Sequence, residues 1–323
     1  MASNSWQQSL KTALSGKGSE RLDKHPQYNP DAARLFAPVI SPQMDQQIDW
    51  TDDNDPLLRQ FIPAKDELID ATSLSHDPVG DVAATQATGV IHKYHGRVLL
   101  IASGSCAVNC RYCFRRHFAY GQQYAPRHNW QAAINYLAGD NSIHEVILSG
   151  GDPLTLQDDT LQGLTTQLED IHHIKTLRFH SRIPVVMPER IDQSWQQWTR
   201  KLSLNKVMVL HINHAGELSP AAGHAIAQLR QAGFTLLNQS VLLKGVNDSA
   251  QALAELSHAL FRHRIMPYYL HQFDRVSNAG HFEVPQNQAH DIYQQLRQLL
   301  PGYLLPKWVQ EIPGELAKTP LSG

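Results

Sequence analysis

Six apolar segments, each short enough to be a β-strand, recur along the chain at intervals of roughly thirty residues. The stretches between them carry apolar residues at helical spacing, over 130–138, 160–170, 194–202, 220–232 and 249–262. Strands and helices that alternate in this way form right-handed βαβ units around a parallel sheet. We predict an α/β fold, an incomplete (β/α)6 parallel barrel, because too little sequence follows residue 270 for eight units. The six strands are expected to start near Val98, Glu145, Thr176, Lys206, Thr235 and Met266.

The segments on either side of this pattern have a different character. Residues 1–90 are polar and broken by prolines, with short helical patterns at 6–14 and 31–36, which predicts a mostly helical N-terminal extension. Residues 91–285 would form the barrel. Residues 286–323 hold one clear helical pattern, 286–300, and a tail. The sequence leaves open whether the extension only covers the barrel or helps to close a site.

Polar residues follow each of the six apolar segments. In parallel α/β proteins the carboxyl ends of the strands meet at one edge, where chemistry collects. A lone histidine there is more often a hydrogen-bonded structural residue than a ligand. Together, however, these strand ends predict a polar mouth on one side of the barrel. They are the cysteine loop at 106–113, then 149–153, 180–182, 211–214, 238–240 and 271–274.

The three cysteines of the chain lie in one loop, at Cys106, Cys110 and Cys113, which is a C-x3-C-x2-C spacing. Such concentration indicates a metal site rather than disulfides. Zinc is one possibility if His117 supplied a fourth ligand, because structural zinc sites are closed and four-coordinate. A single loop with three cysteines is more typical of an iron–sulfur cluster with one open iron. With Tyr112 and its aromatic neighbour Phe114, the loop resembles the radical S-adenosylmethionine superfamily.

Composition and charge exclude several classes of function. The net charge is −2, from 28 Lys and Arg against 30 Asp and Glu, and no block of basic residues appears, which argues against nucleic-acid binding. Neither an apolar leader segment nor a run of 18 apolar residues is present, so no membrane span is expected. Unpaired thiols suit a reducing compartment, and we predict a cytoplasmic protein.

A second motif follows the second predicted strand. Paired glycines at Gly150 and Gly151 permit close backbone approach to a small polar ligand, although a plain turn would use them as well. Radical S-adenosylmethionine proteins carry a similar Gly-Gly-acid-Pro segment, whose backbone meets the methionine amino group. By that resemblance the S-adenosylmethionine site would comprise Ser149, Gly150, Gly151, Asp152, His211 and Gln239.

Further segments make the resemblance more specific. Over roughly residues 30–320 the chain resembles the lysine 2,3-aminomutase family, through Tyr94, Arg97, 110–116, 148–152, 181–184, 213–214, 238–248, 268–274 and 307–320. It is most similar to short bacterial members whose product, β-lysine, is attached to elongation factor P. The family is expected to use a [4Fe-4S] cluster, S-adenosylmethionine and pyridoxal phosphate. An electron donor such as flavodoxin or ferredoxin, and the ligase that modifies elongation factor P, are the implied partners.

The resemblance also implies roles in binding pyridoxal phosphate. Lys318, followed by Thr-Pro, matches the lysine that forms an imine with this cofactor, for which a shielded, deprotonated amine is needed. Lys93 and Arg97 match basic positions at the cofactor phosphate, and Tyr94 lies between them. The preceding segment 313–317 has fewer glycines than in longer relatives. This difference affects the expected geometry of the loop more than the role of the lysine.

Three charged residues match positions that bind the substrate. Arg115 corresponds to the arginine that holds the lysine carboxylate, a task suited to a guanidinium. Asp274 and Glu311 correspond to two acids at the distal ammonium, with Glu311 in place of an aspartate. Such an acid pair favours lysine over glutamate as the substrate, because a buried ammonium needs countercharge. The reaction implied is L-α-lysine to β-lysine. The alternatives are an aminomutase for another amino acid and a zinc-stabilised α/β binding protein.

Overall fold

A computed structural model describes residues 5–17, 19–69, 73–121, 123 and 130–321. Within these ranges the fold is α/β. The strands form one mixed sheet of ten strands, whose spatial order follows the chain. The strands are β1 Thr85–Ala87, β2 Val90–Tyr94, β3 Arg97–Ser103, β4 Glu145–Gly150, β5 Thr176–Ser181, β6 Asn205–His211, β7 Thr235–Val241, β8 Met266–His271, β9 Lys307–Gln310 and β10 Thr319–Pro320.

The six predicted strands are β3 to β8, and each lies within a residue or two of its expected start. Neighbours from β3 to β8 pair in parallel, as the alternation with helices predicted. Strand β9 was not predicted; it pairs in parallel with β8 and thus extends the parallel part of the sheet. The antiparallel pairs β1–β2, β2–β3 and β9–β10 were not predicted either. Strands β1, β2, β9 and β10 have two to five residues and are too short to carry a periodic apolar signal.

Helices connect the parallel strands. Helix α9 illustrates why these connections are helical. Ser249 caps its N-terminus by accepting from the Ala252 amide at 3.2 Å, and Leu253, Leu256 and Leu260 are buried on one face. The predicted helical stretches are all helical within a few residues at their ends. The helices are α1 Ser5–Thr12, α2 Pro30–Leu35, α3 Pro42–Gln47, α4 Gln131–Gly139, α5 Asp158–Glu169, α6 Ile183–Val186, α7 Gln193–Thr199, α8 Pro220–Gln231, α9 Ala250–Arg262 and α10 Gln286–Leu299.

The N-terminal segment is packed into the main body of the fold. Its helices are short, and two of them begin with a proline, which can start a helix but not continue one. Trp6, Met44 and Phe61 belong to the same buried cluster as Leu100 and Leu148 of the sheet. The division at residue 90 stays a prediction, because the two sides of it share one core.

Alternation along the strands decides which side chains reach the functional site. On β5, Leu177 and Phe179 are fully buried, whereas Arg178 and His180 are partly exposed and border a cavity. A second apolar cluster around Trp308 holds α9 and α10 against β8 and β9. Within the ranges given above, no helix combines the length and apolar character that crossing a membrane requires.

Candidate active site

One cavity of about 400 Å³ opens at the carboxyl ends of the parallel strands. Its wall draws residues from β2 to β8, from the loop after β3, and from the C-terminal segment. Every site residue proposed from the sequence borders it. These are Lys93, Tyr94, Arg97, Cys106, Cys110, Cys113, Arg115, Ser149, Gly150, Gly151, Asp152, His211, Gln239, Asp274, Glu311 and Lys318.

The cysteine loop is anchored by its non-cysteine residues. Arg111, between two of the cysteines, is fully buried and forms two hydrogen bonds of 2.7 and 2.8 Å to the carboxylate of Glu67. Arg116 reaches the same carboxylate at 2.7 Å. A buried carboxylate shared by two guanidiniums fixes the loop onto the N-terminal segment. The thiols of Cys106, Cys110 and Cys113 are therefore held on the cavity wall.

The three thiols are free and suited to a metal cluster. Burial raises the pKa of Cys106 and brings that of Cys113 to about 11, and neighbouring thiols add to both increases. Three thiolates can persist side by side here only if bound cations offset their charge. Among the described residues, no three His, Cys, Asp or Glu side chains are grouped to hold a single metal ion. In an iron–sulfur cluster each of the three thiolates would bind its own iron.

His117, the possible fourth zinc ligand, has other contacts. Its Nε2 atom lies 3.2 Å from the carbonyl oxygen of Ser277, and its ring stacks on His76 with centroids 4.1 Å apart. The zinc interpretation therefore gains no fourth ligand from this residue.

The glycine pair packs directly against the cysteine loop. Gly150 has φ of 111°, and a Cβ there would lie 2.4 Å from the carbonyl oxygen of Ser103. A Cβ on Gly151 would lie 2.4 Å from the carbonyl oxygen of Ser105. The Gly151 amide donates to Ser103 at 2.7 Å, and the Asp152 amide donates to Ser105 at 2.7 Å. Glycine is required because the two backbones touch, so the segment is more than a plain turn.

The carboxylate of Asp152 is bound by groups of the protein itself. Its carboxylate accepts from the Leu154 amide at 3.0 Å, from Ser181 Oγ at 2.8 Å and from the Arg182 amide at 2.8 Å. The carboxylate is thus occupied in joining the ends of β4 and β5. The carboxylate is therefore not available to a ligand, and the backbone role expected for this segment stays a prediction.

The pairing of β9 with β10 brings Lys318 to the cavity. Thr319 pairs with Gln310, so Lys318 lies across from Glu311, and the ammonium and carboxylate form a short ion pair. Lys93 binds the same carboxylate at 2.8 Å. Burial alone would raise the pKa of Glu311, but the ammonium groups of Lys318 and Lys93 lower it to about 2. Glu311 is therefore an ionised countercharge to two lysines.

Asp81 is a site residue that sequence reasoning missed. Its carboxylate binds Lys93 at 2.5 Å and Arg115 Nε at 2.6 Å, and it is almost fully buried. Burial would raise the pKa of Asp81, but Arg115 and Lys93 outweigh it and the pKa is lowered. No periodic or motif signal marks this residue, which comes from the N-terminal segment. That segment helps to build the site rather than only covering the sheet.

Two of the proposed binding residues have no charged partner in the part of the chain that the structure describes. Arg97 lies over the ring of Tyr94, 4.8 Å from its centroid, and forms no ion pair there. The side-chain carboxylate of Asp274 accepts no hydrogen bond from the described residues. Burial, reinforced by the charge of Glu311, raises the pKa of Asp274 to about 7. The unpaired guanidinium suits an anionic ligand group, and the unpaired carboxylate suits a cationic one.

About nine-tenths of the chain is similar to a set of curated proteins. The L-lysine 2,3-aminomutase of Escherichia coli (strain K12) is 47% identical over 290 residues, covering 90% of this chain and 84% of that protein. The L-lysine 2,3-aminomutase of Haemophilus influenzae is 44% identical over 288 residues, covering 89% of this chain and 85% of that protein. The chain belongs to the L-lysine 2,3-aminomutase family. A more distant family member, from Clostridium subterminale, is 36% identical over 88% of this chain and 68% of its own.

Lysine 2,3-aminomutases are isomerases, and the chain is an enzyme of this family. A family model described as a 4Fe-4S single cluster domain matches residues 95–182, which contain all three cysteines. It supports a cluster at this loop. Among solved structures, a radical SAM methyltransferase from Sphaerobacter thermophilus aligns with a TM-score of 0.48 at 15% identity, covering 68% of each chain. So remote a likeness says nothing about activity.

Neutral histidines form another wall of the aminomutase cavity. The Nε2 atom of His211 lies 2.7 Å from the side-chain amide nitrogen of Gln239, and its ring centroid lies 5.9 Å from that of His180. Burial, with the positive charge of Arg182 and Arg115, lowers the pKa of His211 to about 3. Burial also lowers the pKa of His180 well below its usual range. These side chains therefore offer neutral hydrogen-bonding edges rather than charge.

Arg182 is a second residue of the aminomutase site whose role the sequence did not reveal. Its Nη1 atom lies 2.7 Å from the sulfur of Cys110 and 2.6 Å from the hydroxyl of Tyr112. Its Nη2 atom donates to Glu217 at 2.8 Å and to Gln60 at 2.6 Å. The Ser-Arg-Ile-Pro motif marked this position, but only the fold shows that its side chain reaches a cysteine of the loop.

Proposed function

We propose that this enzyme is an L-lysine 2,3-aminomutase that converts L-α-lysine to β-lysine with a [4Fe-4S] cluster, S-adenosylmethionine and pyridoxal phosphate. The observation that carries the proposal is the composition of one cavity. It combines three cluster-type thiols, a lysine suited to pyridoxal phosphate, and an arginine and an aspartate suited to the two ends of lysine. Membership of the family supports the same reaction.

Cys106, Cys110 and Cys113 would hold three irons of the cluster and leave the fourth open for S-adenosylmethionine. The backbone of Gly150 and Gly151, which borders the cavity, would bind the amino end of that ligand. Ser149, His211 and Gln239 would offer neutral polar groups, and Asp152 would position the segment. When bound, the cluster and S-adenosylmethionine would supply the radical that removes hydrogen from the substrate. Pyridoxal phosphate would supply the conjugation for amino migration.

Lys318 would bind pyridoxal phosphate covalently, and Arg97 would meet the cofactor phosphate. Arg97 is suited to this task because no described acid neutralises it, whereas Lys93 is already paired with Asp81 and Glu311. We therefore assign the main phosphate contact to Arg97 and give Lys93 the role of a charged support. Tyr94 lies under the Arg97 guanidinium and orients it.

Arg115 would bind the substrate carboxylate with the guanidinium edge that Asp81 leaves available. Asp274 would bind the distal ammonium, since it borders the cavity and its carboxylate has no partner among the described residues. Glu311 would add negative charge near this end while it holds Lys318 and Lys93. A cavity with this pattern favours a dibasic amino acid over glutamate, whose second carboxylate would meet Asp274.

The proposal extends to features beyond the cavity. The parallel strands β3 to β8 would form an incomplete (β/α)6 barrel, since side chains from all of them border one cavity. A flavodoxin or ferredoxin would supply electrons, and the β-lysine would serve the modification of elongation factor P. We expect the enzyme to act in the cytoplasm, where a cluster and free thiols are protected.

The test starts from anaerobically purified protein reconstituted with iron, sulfide and pyridoxal phosphate. Wild type should show an iron–sulfur absorbance band, and borohydride should fix the cofactor on Lys318, as found by peptide mass spectrometry. Lys318→Ala should keep the iron and lose the label, and Cys110→Ala should lose the iron. Reduced wild-type enzyme with S-adenosylmethionine should then convert lysine but not glutamate. Bound zinc without iron, or iron with no turnover of lysine, would contradict the proposal.

A further inference from the structure

Arg182 is the residue whose contacts the proposed reaction does not yet explain. Its side chain is buried, and one of its guanidinium nitrogens reaches the sulfur of Cys110. In the described part of the chain, no hydrogen bond joins a charged side chain to the sulfur of Cys106 or Cys113. The three cluster cysteines therefore differ in their surroundings, and Cys110 alone among them has a cationic side-chain donor there.

Several contacts hold this guanidinium in place. The Arg182 amide donates to Asp152, so its backbone is fixed to the segment after β4. Glu217, which is fully buried, binds Nη2 at 2.8 Å. Glu217 is itself fixed by the backbone amides of Asn213 at 2.9 Å and His214 at 3.0 Å. A charged group held from both ends acts on the cysteine with little cost of reorganisation.

We propose that Arg182 is a positioning residue that donates a hydrogen bond to the Cys110 thiolate and raises the reduction potential of the cluster. The inference rests on the proposed cluster, which takes one electron from a low-potential donor and passes from the 2+ to the 1+ state. The added negative charge is shared by the sulfur ligands. A cation and N–H group at one sulfur stabilise the reduced state more than the oxidised state.

Glu217 carries the charge opposite to that of Arg182. Its carboxylate binds the far side of the guanidinium and offsets part of the positive charge that Cys110 experiences. Neutralising Glu217 while keeping its shape should therefore strengthen the effect of Arg182. Removing the charge of Arg182 should have the opposite effect. A residue that only supports the fold would not shift the potential in opposite directions in the two variants.

The experiment is a redox titration with dithionite, followed by the electron paramagnetic resonance of the reduced cluster, without lysine or pyridoxal phosphate. Arg182→Gln should lower the midpoint potential relative to wild type, Arg182→Lys should lower it less, and Glu217→Gln should raise it. Arg190→Gln is the matched control. Arg190 is also a fully buried arginine, but it pairs with Asp158 and makes no described contact to a cysteine. Its potential should equal that of wild type.

The outcomes separate this inference from the proposed function. A wild-type protein that takes up no cluster would overturn both. A normal wild-type cluster whose potential is unchanged in Arg182→Gln would overturn the role of Arg182 alone. If Arg182→Gln binds no iron, Glu217→Gln decides, because a potential that stays constant or falls in that variant contradicts the proposal. An equal drop in Arg190→Gln would also contradict it, by showing a general effect of losing a buried arginine.

Discussion

Asp274 makes the affinity for a dibasic ligand depend on pH. Its pKa of about 7 means that the carboxylate is about nine-tenths ionised at pH 8 and about one-tenth ionised at pH 6. Only the ionised form can neutralise an ammonium. The dissociation constant should therefore rise about tenfold when the pH falls from 8 to 6. Glu311 and Asp81 stay ionised over this range because their pKa values are lowered. His180 and His211 stay neutral because theirs are lowered as well.

The assay is calorimetric binding of 6-aminohexanoate to the cofactor-free protein. This ligand has the carboxylate and distal ammonium of lysine but no α-amino group, and neither of its groups titrates between pH 6 and 8. Hexanoate, which lacks the ammonium, is the control ligand and should not lose affinity at low pH. Asp274→Asn should bind 6-aminohexanoate more weakly than wild type at pH 8 and should show no tenfold change.

Equal wild-type affinity at pH 6 and pH 8 would refute the assignment of Asp274 to the ammonium. A tenfold change that persists in Asp274→Asn would refute it as well, because another group would then be responsible. A pH dependence of the same size for hexanoate would trace the effect to the carboxylate end of the ligand, near Arg115.

Three further predictions concern stability and assembly. The pKa of Asp274 rises from 3.8 to about 7 in the folded protein, so its ionisation costs stability as the pH rises through this range. Asp274→Asn should stabilise the cofactor-free protein by up to about 4 kcal/mol at pH 8, and by less than half of that at pH 5, in urea unfolding. Gly151→Ala should fold but take up little iron on reconstitution, because its Cβ would meet the Ser105 carbonyl, whereas Gly163→Ala, with open space, should load normally. Glu67→Gln should lower the free energy of unfolding in urea by about 3–5 kcal/mol, because Arg111 then keeps a buried charge without its partner. Asp31→Asn, which breaks an exposed ion pair, should change it little.

Strands β3 to β8 and the longer helices between residues 97 and 300 could be predicted from the sequence, because each carries its own apolar period; the four-residue helix α6 was not predicted. Helix α9, for example, repeats leucines every three or four residues and has a serine cap. Strand β9 could not be predicted in this way. Its four residues become a strand only through pairing with β8 and β10, which are contacts between distant parts of the chain.

The location of the site also followed from sequence. Parallel strands place their carboxyl ends at one edge, so residues as far apart as Cys113, His211 and Asp274 were expected to meet. They border one cavity, as expected. Asp81 was not foreseen, since nothing near it in sequence indicates that it would pair with Arg115, 34 residues later.

The sequence by itself determined the ligand types and their order: three thiols in one loop, a glycine pair after the next strand, and a lysine near the end. Only the tertiary structure decided which charges face each other. It placed Glu311 against Lys318 and Lys93, Arg182 against Cys110, and left Asp274 without a side-chain partner among the described residues. The reason is that ion pairing and pKa depend on distance and burial, and both are set by contacts between segments that are remote along the chain.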